Sequence, residues 1–263
     1  PGSPRMITGI DHLVIAVKDL EAATRAYGEL GFTVVPGGRH PVGTYNTLIA
    51  FADGSYLELI GFYRDNPDHR WWAALQRGGG LVDYCLQTDD LMGDTRAFRD
   101  AGVDIADPVS QSRVRPDGYQ LRWVFSLARG PHRGVGPFLI NDETPREERV
   151  PREQTHPNGV TGIGAVRIAT DDLATVSRWY TKATGQSGTA ITSPETGSAG
   201  TRFMAGPHAL EFLAPARPDG AVAQWLGQRG ASPHDATLTT RSGKAGPLDA
   251  KKTMGARLSL IGA

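Results

Sequence analysis

The chain has 263 residues, 39% of them apolar, and its 28 lysines and arginines are balanced by 28 aspartates and glutamates. A neutral chain lacks the net basic surface that binds nucleic acids or anionic membranes, and no apolar run approaches the ~20 residues of a membrane-spanning helix. One cysteine, Cys85, excludes an internal disulfide and a cysteine-rich zinc module. We therefore expect a cytoplasmic protein of one or two domains with neither a nucleic-acid nor a membrane partner.

The first ordered element is predicted at "ITGIDHLVIAV" (7–17), because branched apolar residues favour a strand. The preceding residues 1–6, which open with "PGSPR", are interpreted as an expression-tag remnant and a disordered N-terminus. Asp19 suits a helix N-cap, and Gly31 suits the end of that helix. Three strands follow, with "ADG" (52–54) as the hairpin turn between the last two. The order β-α-β-β-β describes one unit.

This unit recurs along the chain. The stretch "VTGIGAVRIAT" (160–170) repeats the first strand 153 residues later, and "ALEFL" repeats "YLELI" at the same shift. A shift of 152 continues the match at "QRG", so units begin near residues 7, 81, 160 and 233. The fourth unit runs out of chain and is predicted to lack strands. We expect domains over 7–142 and 160–263, with the charged, proline-rich segment 143–159 as a linker.

Five stretches occur in a distinctive order: "GIDHLVIAVKDL" (9–20), "GFTVVPGGRHPVGTYNTLIAFADGSYLELI" (31–60), "GLVDYCLQTDDL" (80–91), "RPDGYQLRWVF" (115–125) and "GPFLIND" (136–142). They resemble the vicinal oxygen chelate superfamily of glyoxalases, bleomycin-resistance proteins and extradiol dioxygenases, and within it the bacterial glyoxalase-like group. The resemblance implies an α+β fold in which repeated βαβββ units form two cup-shaped curved sheets, the second incomplete. It is specific for the fold but not for the reaction, because this fold hosts many chemistries and plain binders.

The resemblance also implies where a metal would bind. In the superfamily, a His or Gln in the first strand of a unit and a Glu in its last strand commonly hold the ion, and His12 and Glu58 match these positions. Both are therefore candidate catalytic residues and candidate ligands of one divalent ion: zinc, iron or manganese. Asp83 stands at the equivalent place in the second unit. The third unit has Ala165 and Glu211, so the second cup resembles a copy whose site has lapsed. The alternatives are a core histidine bonded to a carbonyl and a glutamate that faces water.

The stretch "GGRHPVGTYN" (37–46) is unusual for a turn, which needs glycine and proline but not so many polar side chains. Arginine can hold a carboxylate or enolate oxygen by two hydrogen bonds, and asparagine can fix a carbonyl. The candidate substrate-binding residues are Arg39, His40, Thr44, Asn46 and, from a later strand, Arg122. The alternatives are a solvated hairpin with a surface ion pair and a salt bridge at the rim. His40 can also complete a two-histidine, one-carboxylate metal set if its loop folds inward.

These residues predict a glyoxalase-like enzyme, a lyase, isomerase or oxygenase, that acts on a carbonyl or enolisable small molecule in the first cup. Without a metal, a buried Glu58 can still transfer a proton. The alternative is a non-catalytic binder, such as an antibiotic-sequestering protein, since superfamily members of that kind keep the cup and lose the metal ligands. The expected partner is a small-molecule substrate or ligand. The oligomeric state is left open, with a homodimer among the expectations.

Overall fold

The structure is a computed structural model that describes residues 7–263, so the expectation for residues 1–6 lies outside the described residues. Fifteen strands and six helices are present in the described range. The first unit consists of β1 (Ile7–Ala16), α1 (Leu20–Glu29), β2 (Val35–Arg39), β3 (Thr44–Ala50) and β4 (Tyr56–Phe62). A short helix, α2 (Trp72–Gln76), leads to the second unit, which consists of β5 (Gly80–Thr88), α3 (Leu91–Ala101), β6 (Val109–Val114), β7 (Gln120–Leu127) and β8 (Phe138–Asp142). Both units have the predicted order β-α-β-β-β.

These two units close into one eight-stranded barrel with the strand order β1-β4-β3-β2-β6-β7-β8-β5. Within each unit the first and last strands are parallel neighbours, β1 beside β4 and β5 beside β8. The units join where β1 pairs antiparallel with β5 and where Arg39 of β2 pairs with Val114 of β6. The first unit therefore pairs with the second.

The connecting segment contains one helical turn, α4 (Arg146–Arg149), before the second half begins. That half consists of β9 (Val160–Ala169), α5 (Leu173–Thr184), β10 (Thr189–Ser193), β11 (Ser198–Ala205), β12 (His208–Pro215), α6 (Ala221–Arg229), β13 (Ser232–Thr240), β14 (Gly246–Pro247) and β15 (Leu258–Gly262). Its seven strands form an open sheet in the order β10-β11-β12-β9-β13-β15-β14. The fourth unit supplies three strands instead of four, two of them short. The α+β fold with a second, incomplete cup is confirmed.

The helices α1, α3 and α5 each begin at an aspartate and end beside a glycine, as Asp19 and Gly31 predicted for α1. Asp19, Asp90 and Asp172 each accept a hydrogen bond from a backbone N–H in the first turn of the helix that follows. A carboxylate at this position satisfies one of the donors that a helix leaves unpaired. At the other end, Gly102 and Gly185 have φ values of 113° and 77°, which glycine adopts without steric cost. The local sequence thus sets where each of these helices begins and ends.

One hydrophobic core extends across both halves. It includes Leu13 from β1 and Leu210 from β12, both almost fully buried. The hydroxyls of Tyr84 and Tyr180 hydrogen-bond to each other across the boundary. The second half therefore packs against the barrel as part of one structure. Within the described range, none of the helices has the length and apolar character that crossing a membrane requires.

Candidate functional site

A cavity of about 300 Å³ lies inside the closed barrel. Its wall is mostly aromatic and aliphatic, with a few converging polar groups, which is typical of small-molecule sites. The apolar lining residues are Val42, Tyr56, Ile60, Trp71, Val109, Trp123, Phe125, Leu127, Phe138 and Ile140. The polar ones are His12, His40, Thr44, Asn46, Glu58, His69, Arg70, Gln111, Arg113 and Arg149. The fold thus brings together five of the sequence-predicted site residues: His12, His40, Thr44, Asn46 and Glu58.

His12 and Glu58 face each other in this cavity. They project from the paired strands β1 and β4, and His12 Nε2 lies 3.7 Å from Glu58 Oε1. On the other side of the ring, His12 Nδ1 lies 2.7 Å from Asp11 Oδ2. The ring also stacks on Tyr56, with centroids 4.7 Å apart and planes 11° from parallel. Because Nδ1 is committed to Asp11, Nε2 is the ring atom that can exchange a proton or bind an ion in the cavity.

Asp11 is the centre of a buried charge network that sequence analysis missed. It is 0% exposed, and its two oxygens accept hydrogen bonds of 2.9 Å from Arg149. Arg146 also donates to Asp11, and Arg149 reaches on to Asp142. Burial favours the neutral acid, but the two guanidinium groups outweigh it and hold the pKa of Asp11 well below its usual value. Asp11 is therefore a fixed negative charge behind the neighbouring histidine.

Glu58 is a buried carboxylate held by an amide. Asn46 Nδ2 donates to Glu58 Oε2 over 2.6 Å, and both side chains are buried. Burial favours the neutral acid, but the adjacent His12 ring and this hydrogen bond outweigh it and hold the pKa of Glu58 below its ordinary value. Glu58 is therefore ionised at neutral pH. Its other oxygen, Oε1, is the one turned towards His12.

His40 and His69 are uncharged members of the wall. His40 Nδ1 lies 2.9 Å from Thr44 Oγ1, and its ring meets Trp123 edge-on at a centroid distance of 6.1 Å. His69 Nδ1 accepts a hydrogen bond from the backbone N–H of Trp71. Burial lowers the pKa of both histidines to about 4. Both rings are neutral at pH 7 and can bind a carbonyl oxygen without adding charge to the cavity.

Two arginines in the cavity wall lack a carboxylate partner among the described residues. Arg113 donates to the backbone carbonyls of Gly37 and Arg149. The guanidinium of Arg70 lies over the Trp71 ring, 4.0 Å from its centroid, and its buried Nε has no hydrogen-bond partner within residues 7–263. The wall therefore holds two such cations against a single lining carboxylate.

The donors His12 and Glu58 are suitably spaced to share a metal ion, but no third histidine, cysteine or carboxylate among the described residues lies within 4.8 Å of both. Two ligands ~2.1 Å from a tetrahedral ion lie ~3.4 Å apart, close to the 3.7 Å observed. Among the described residues, the one group of three potential ligands within 4.8 Å of one another is Asp11, His12 and Cys85. The Asp11 carboxylate already accepts hydrogen bonds from two arginines, and burial raises the pKa of the Cys85 thiol well above its usual value. Zinc and non-haem iron sites generally use three protein ligands, so these residues do not complete one.

The second half keeps the glutamate but not its surroundings. Arg202 on β11 pairs with Glu211 on β12, with Arg202 Nε 2.7 Å from Glu211 Oε2. The positions that correspond to the aspartate–histidine pair of β1 are held by Gly164 and Ala165. Glu211 therefore has an arginine partner, whereas Glu58 has a histidine, an amide and a cavity.

Three candidate residues lie outside the cavity. Arg39 is exposed, and its guanidinium covers the Tyr63 ring at 4.6 Å. Arg122 is exposed on β7. Asp83 is buried, but its carboxylate accepts a hydrogen bond of 3.0 Å from Trp71 Nε1 and does not line the cavity. The structure does not bring these three residues to His12 and Glu58.

Comparisons with known proteins agree with this architecture. A hypothetical protein from Staphylococcus aureus superposes with a TM-score of 0.71 at 12% identity, covering 97% of this chain and 99% of that one. A mutant of 4-hydroxymandelate synthase from Streptomyces coelicolor superposes with a TM-score of 0.63 at 16% identity, over 90% of this chain and 72% of that one. At such identities these likenesses show the fold alone.

A search of curated protein sequences gives no match. Residues 10–184 match the family model described as a glyoxalase-like domain. That match covers both units of the barrel and continues into α5, well over half of the chain. The chain therefore belongs to the glyoxalase-like domain family, within the vicinal oxygen chelate superfamily.

Proposed function

We propose that the protein is a small-molecule enzyme that transfers a proton at a carbon next to a carbonyl group, inside the first barrel. The observation that carries the proposal is the facing pair of His12 and Glu58, 3.7 Å apart in a cavity walled by aromatic rings. Two titratable groups in different surroundings are the parts that acid–base catalysis requires. Isomerase and lyase chemistry need only these parts. Oxygenase chemistry needs a fuller ligand set than the described residues supply.

Glu58 is the proposed base. It is ionised at neutral pH, and the Asn46 amide fixes Oε2, so Oε1 is the oxygen left to accept the proton. In this step the C–H bond breaks, its electron pair forms the enolate, and Glu58 becomes the neutral acid. A base that is already positioned does not lose rate to reorientation.

His12 is the proposed group that supplies a proton to a second atom. Asp11 holds the ring through Nδ1, which directs Nε2 into the cavity and stabilises the ring whenever Nε2 is protonated. Delivery of a proton to a different carbon completes an isomerisation. Delivery to a leaving group completes an elimination, which is the lyase reaction.

The enolate oxygen needs a donor or a positive charge beside it. Neutral His40 and its partner Thr44 line the same cavity and can donate to a carbonyl oxygen. Arg113 is buried in the wall, and among residues 7–263 its hydrogen bonds go only to carbonyl groups, so its charge is available to stabilise the enolate. These residues support the proposed reaction without Arg39 or Arg122.

The test is solvent deuterium exchange followed by NMR. In deuterium oxide, 2-oxo-4-phenylbutanoate and 4-phenyl-2-butanone each offer an enolisable C–H bond beside a carbonyl. The wild-type protein is expected to accelerate exchange of at least one, and Glu58→Gln to lose about 100-fold or more of that rate. Glu211→Gln is the matched control and is expected to keep the rate, because Glu211 is paired with Arg202. Equal loss in the two variants, or no loss in Glu58→Gln, would mean that Glu58 is not the base.

A non-catalytic binder is the second candidate, because the potential metal ligands are only partly present. Such a protein would sequester a small molecule in the aromatic cavity. It predicts saturable binding of a ligand with no exchange, and it predicts that Glu58→Gln changes affinity without any effect on rate.

A further inference from the structure

Arg70 is a cation of the cavity wall whose charge no described side chain pairs with. It lies in the loop between β4 and α2, directly before Trp71. Its guanidinium carbon is 4.0 Å from the Trp71 ring centroid, 5.2 Å from that of Phe125 and 5.3 Å from that of Phe138. A guanidinium stacked on aromatic faces keeps its N–H donors at the edge of its plane, where they can reach a planar anion.

The two carboxylates that act most strongly on Arg70 are Asp83 and Glu58, and both are bonded to other groups. Asp83 accepts hydrogen bonds from Trp71 Nε1 and from the backbone N–H of Tyr84, and Glu58 is held by Asn46. Burial lowers the pKa of Arg70 to about 10, so the group stays charged at neutral pH. A buried charged donor without an acceptor destabilises the folded protein, and an anion bound beside it removes that cost.

The charges of the whole wall point the same way. Arg149 lines the cavity, but two carboxylates behind the wall neutralise it. In the described part of the chain, Arg113 donates only to backbone carbonyls, and Glu58 is the one carboxylate in the lining. Arg70 and Arg113 together therefore outnumber the negative charge that faces them. A cavity of this kind attracts anions and disfavours cations.

We propose that the substrate is a small carboxylic acid with an apolar, preferably aryl, substituent, and that Arg70 binds its carboxylate. This inference rests on the proposed function, because the cavity is the same, and it names the substrate class. The carboxylate lies against Arg70, the substituent packs on the aromatic wall, and the enolisable carbonyl lies towards Glu58. A volume of about 300 Å³ is at the lower end for ligand sites, which limits the acid to a small one.

The test uses two unreactive probes of the same shape, 3-phenylpropanoate and its neutral amide, 3-phenylpropanamide. Their affinities for the full chain are measured by calorimetry at neutral pH. The wild-type protein is expected to bind the carboxylate roughly ten- to hundredfold more tightly than the amide. Arg70→Met is expected to remove that preference by weakening carboxylate binding alone. Arg70→Lys is expected to keep part of it, because lysine retains the charge but not the forked donors.

Arg122→Met is the matched control, since it removes an exposed arginine outside the cavity, and it is expected to keep the full preference. A purely structural role of Arg70 would weaken both probes alike, and that result overturns the proposal. Equal binding of the two probes by the wild-type protein, or binding of neither, also overturns it. This comparison needs no variant, so it decides the matter even if Arg70→Met does not fold.

Glu58→Gln separates this proposal from the proposed function. Removing the lining carboxylate should preserve or strengthen the preference for 3-phenylpropanoate while it abolishes deuterium exchange. A carboxylate preference in a protein that catalyses no exchange overturns the reaction and leaves the ligand class standing. Exchange that depends on Glu58 in a protein without the preference overturns the ligand class alone.

Discussion

Glu58 and Glu211 show how the surroundings of a residue decide its chemistry. Both occupy the last strand of an equivalent unit and follow a leucine. Glu58 meets a histidine and an amide beside a cavity, whereas Glu211 forms an ion pair with Arg202. The Arg202 guanidinium binds the Glu211 carboxylate, whereas Glu58 Oε1 is turned towards His12 in the cavity. Equivalent positions of the repeat therefore hold the proposed base in the first half and a structural carboxylate in the second.

The donors His12 and Glu58 also determine the expected metal content. Because a third ligand is lacking among the described residues, protein purified without chelator and then soaked with zinc, iron or manganese is expected to hold less than one ion per chain. Elemental analysis after gel filtration measures this, and exchange activity should survive dialysis against a chelator. A stoichiometric ion that His12→Ala and Glu58→Ala each release would contradict this prediction and would place a metal between the two side chains.

The sequence predicted the central polar residues of the cavity, but it did not predict the arginines and the aspartate that surround them. His12 and Glu58 followed from family positions, and the polar stretch after β2 supplied His40, Thr44 and Asn46. Arg122 could have been excluded by strand alternation, since both its neighbours, Leu121 and Trp123, are apolar and buried in β7.

Other residues gave no usable periodic signal. Arg70 lies in a loop and Arg149 in the segment predicted as a linker, and no periodic pattern shows that a side chain from such a segment reaches into a barrel wall. Arg39 pairs with Tyr45, whose hydroxyl bonds to Glu21 on α1, so this pair faces the outside of the barrel. That orientation depends on the strand register, which the sequence did not fix.

At the level of strands, two irregularities shape the site. The pairing of β1 with β5 shifts register at Asp11, and the pairing of β2 with β3 shifts at Gly37. The first lets two successive residues of β1 serve the site: His12 faces the cavity, while Asp11 meets the arginines of α4. Bulges of this kind re-aim side chains near functional sites, and a pattern of period two does not reveal them.

The contact between β1 and α4 predicts a large stability effect at Asp11. Asp11→Asn leaves the buried Arg149 and the half-buried Arg146 facing a neutral amide. Breaking a buried ion pair from one side typically costs about 3–5 kcal/mol, and chemical denaturation measures the loss. The control Asp117→Asn removes an exposed partner of Arg115 and is expected to behave as the wild type. Equal stability of the two variants would show that α4 does not depend on Asp11.

The bulge in β2 predicts a specific effect of Gly37→Ala. A Cβ at this position would lie 1.9 Å from Asn46 Oδ1, so the asparagine side chain must move away from Glu58. We expect exchange to fall by roughly tenfold or more and unfolding free energy to fall by about 1–3 kcal/mol. Gly28→Ala on α1 meets nothing within 4 Å and is expected to keep full activity and to gain up to about 1 kcal/mol. Unchanged exchange in Gly37→Ala would show that catalysis does not need the hydrogen bond from Asn46 to Glu58.

Over the whole molecule, two halves share one core although the cavity lies in the first. Tyr27 donates to the backbone carbonyl of Thr253, and Asp53 at a hairpin of the barrel meets His208 of β12 at 2.8 Å. The duplication was predictable because both halves keep the same spacing between first and last strands. Closure of the first sheet depends on contacts between units, such as the pairing of β2 with β6, which no local pattern encodes. The second sheet stays open because its last unit has too few strands.

Two histidines of the cavity wall predict how the stability of the molecule changes with pH. Burial lowers the pKa of His40 and His69 to about 4, from an ordinary value of 6.5. Between these values the unfolded chain binds protons that the folded protein does not, so the free energy of unfolding falls as the pH drops. Each histidine contributes a slope of up to about 1.4 kcal/mol per pH unit in this window.

Chemical denaturation at about pH 7 and about pH 5 measures this effect, and the two histidines together account for a loss of up to about 4 kcal/mol. The double variant His40→Gln, His69→Gln should lose correspondingly less over the same interval. Some dependence should remain, because burial also lowers the pKa of His156. If the double variant loses as much stability as the wild type, the two rings take up protons over this interval as readily in the folded protein as in the unfolded chain. In that case His40 gains a charge at the cavity wall as the pH falls towards about 5, and it serves as the neutral donor to a carbonyl oxygen only nearer neutral pH.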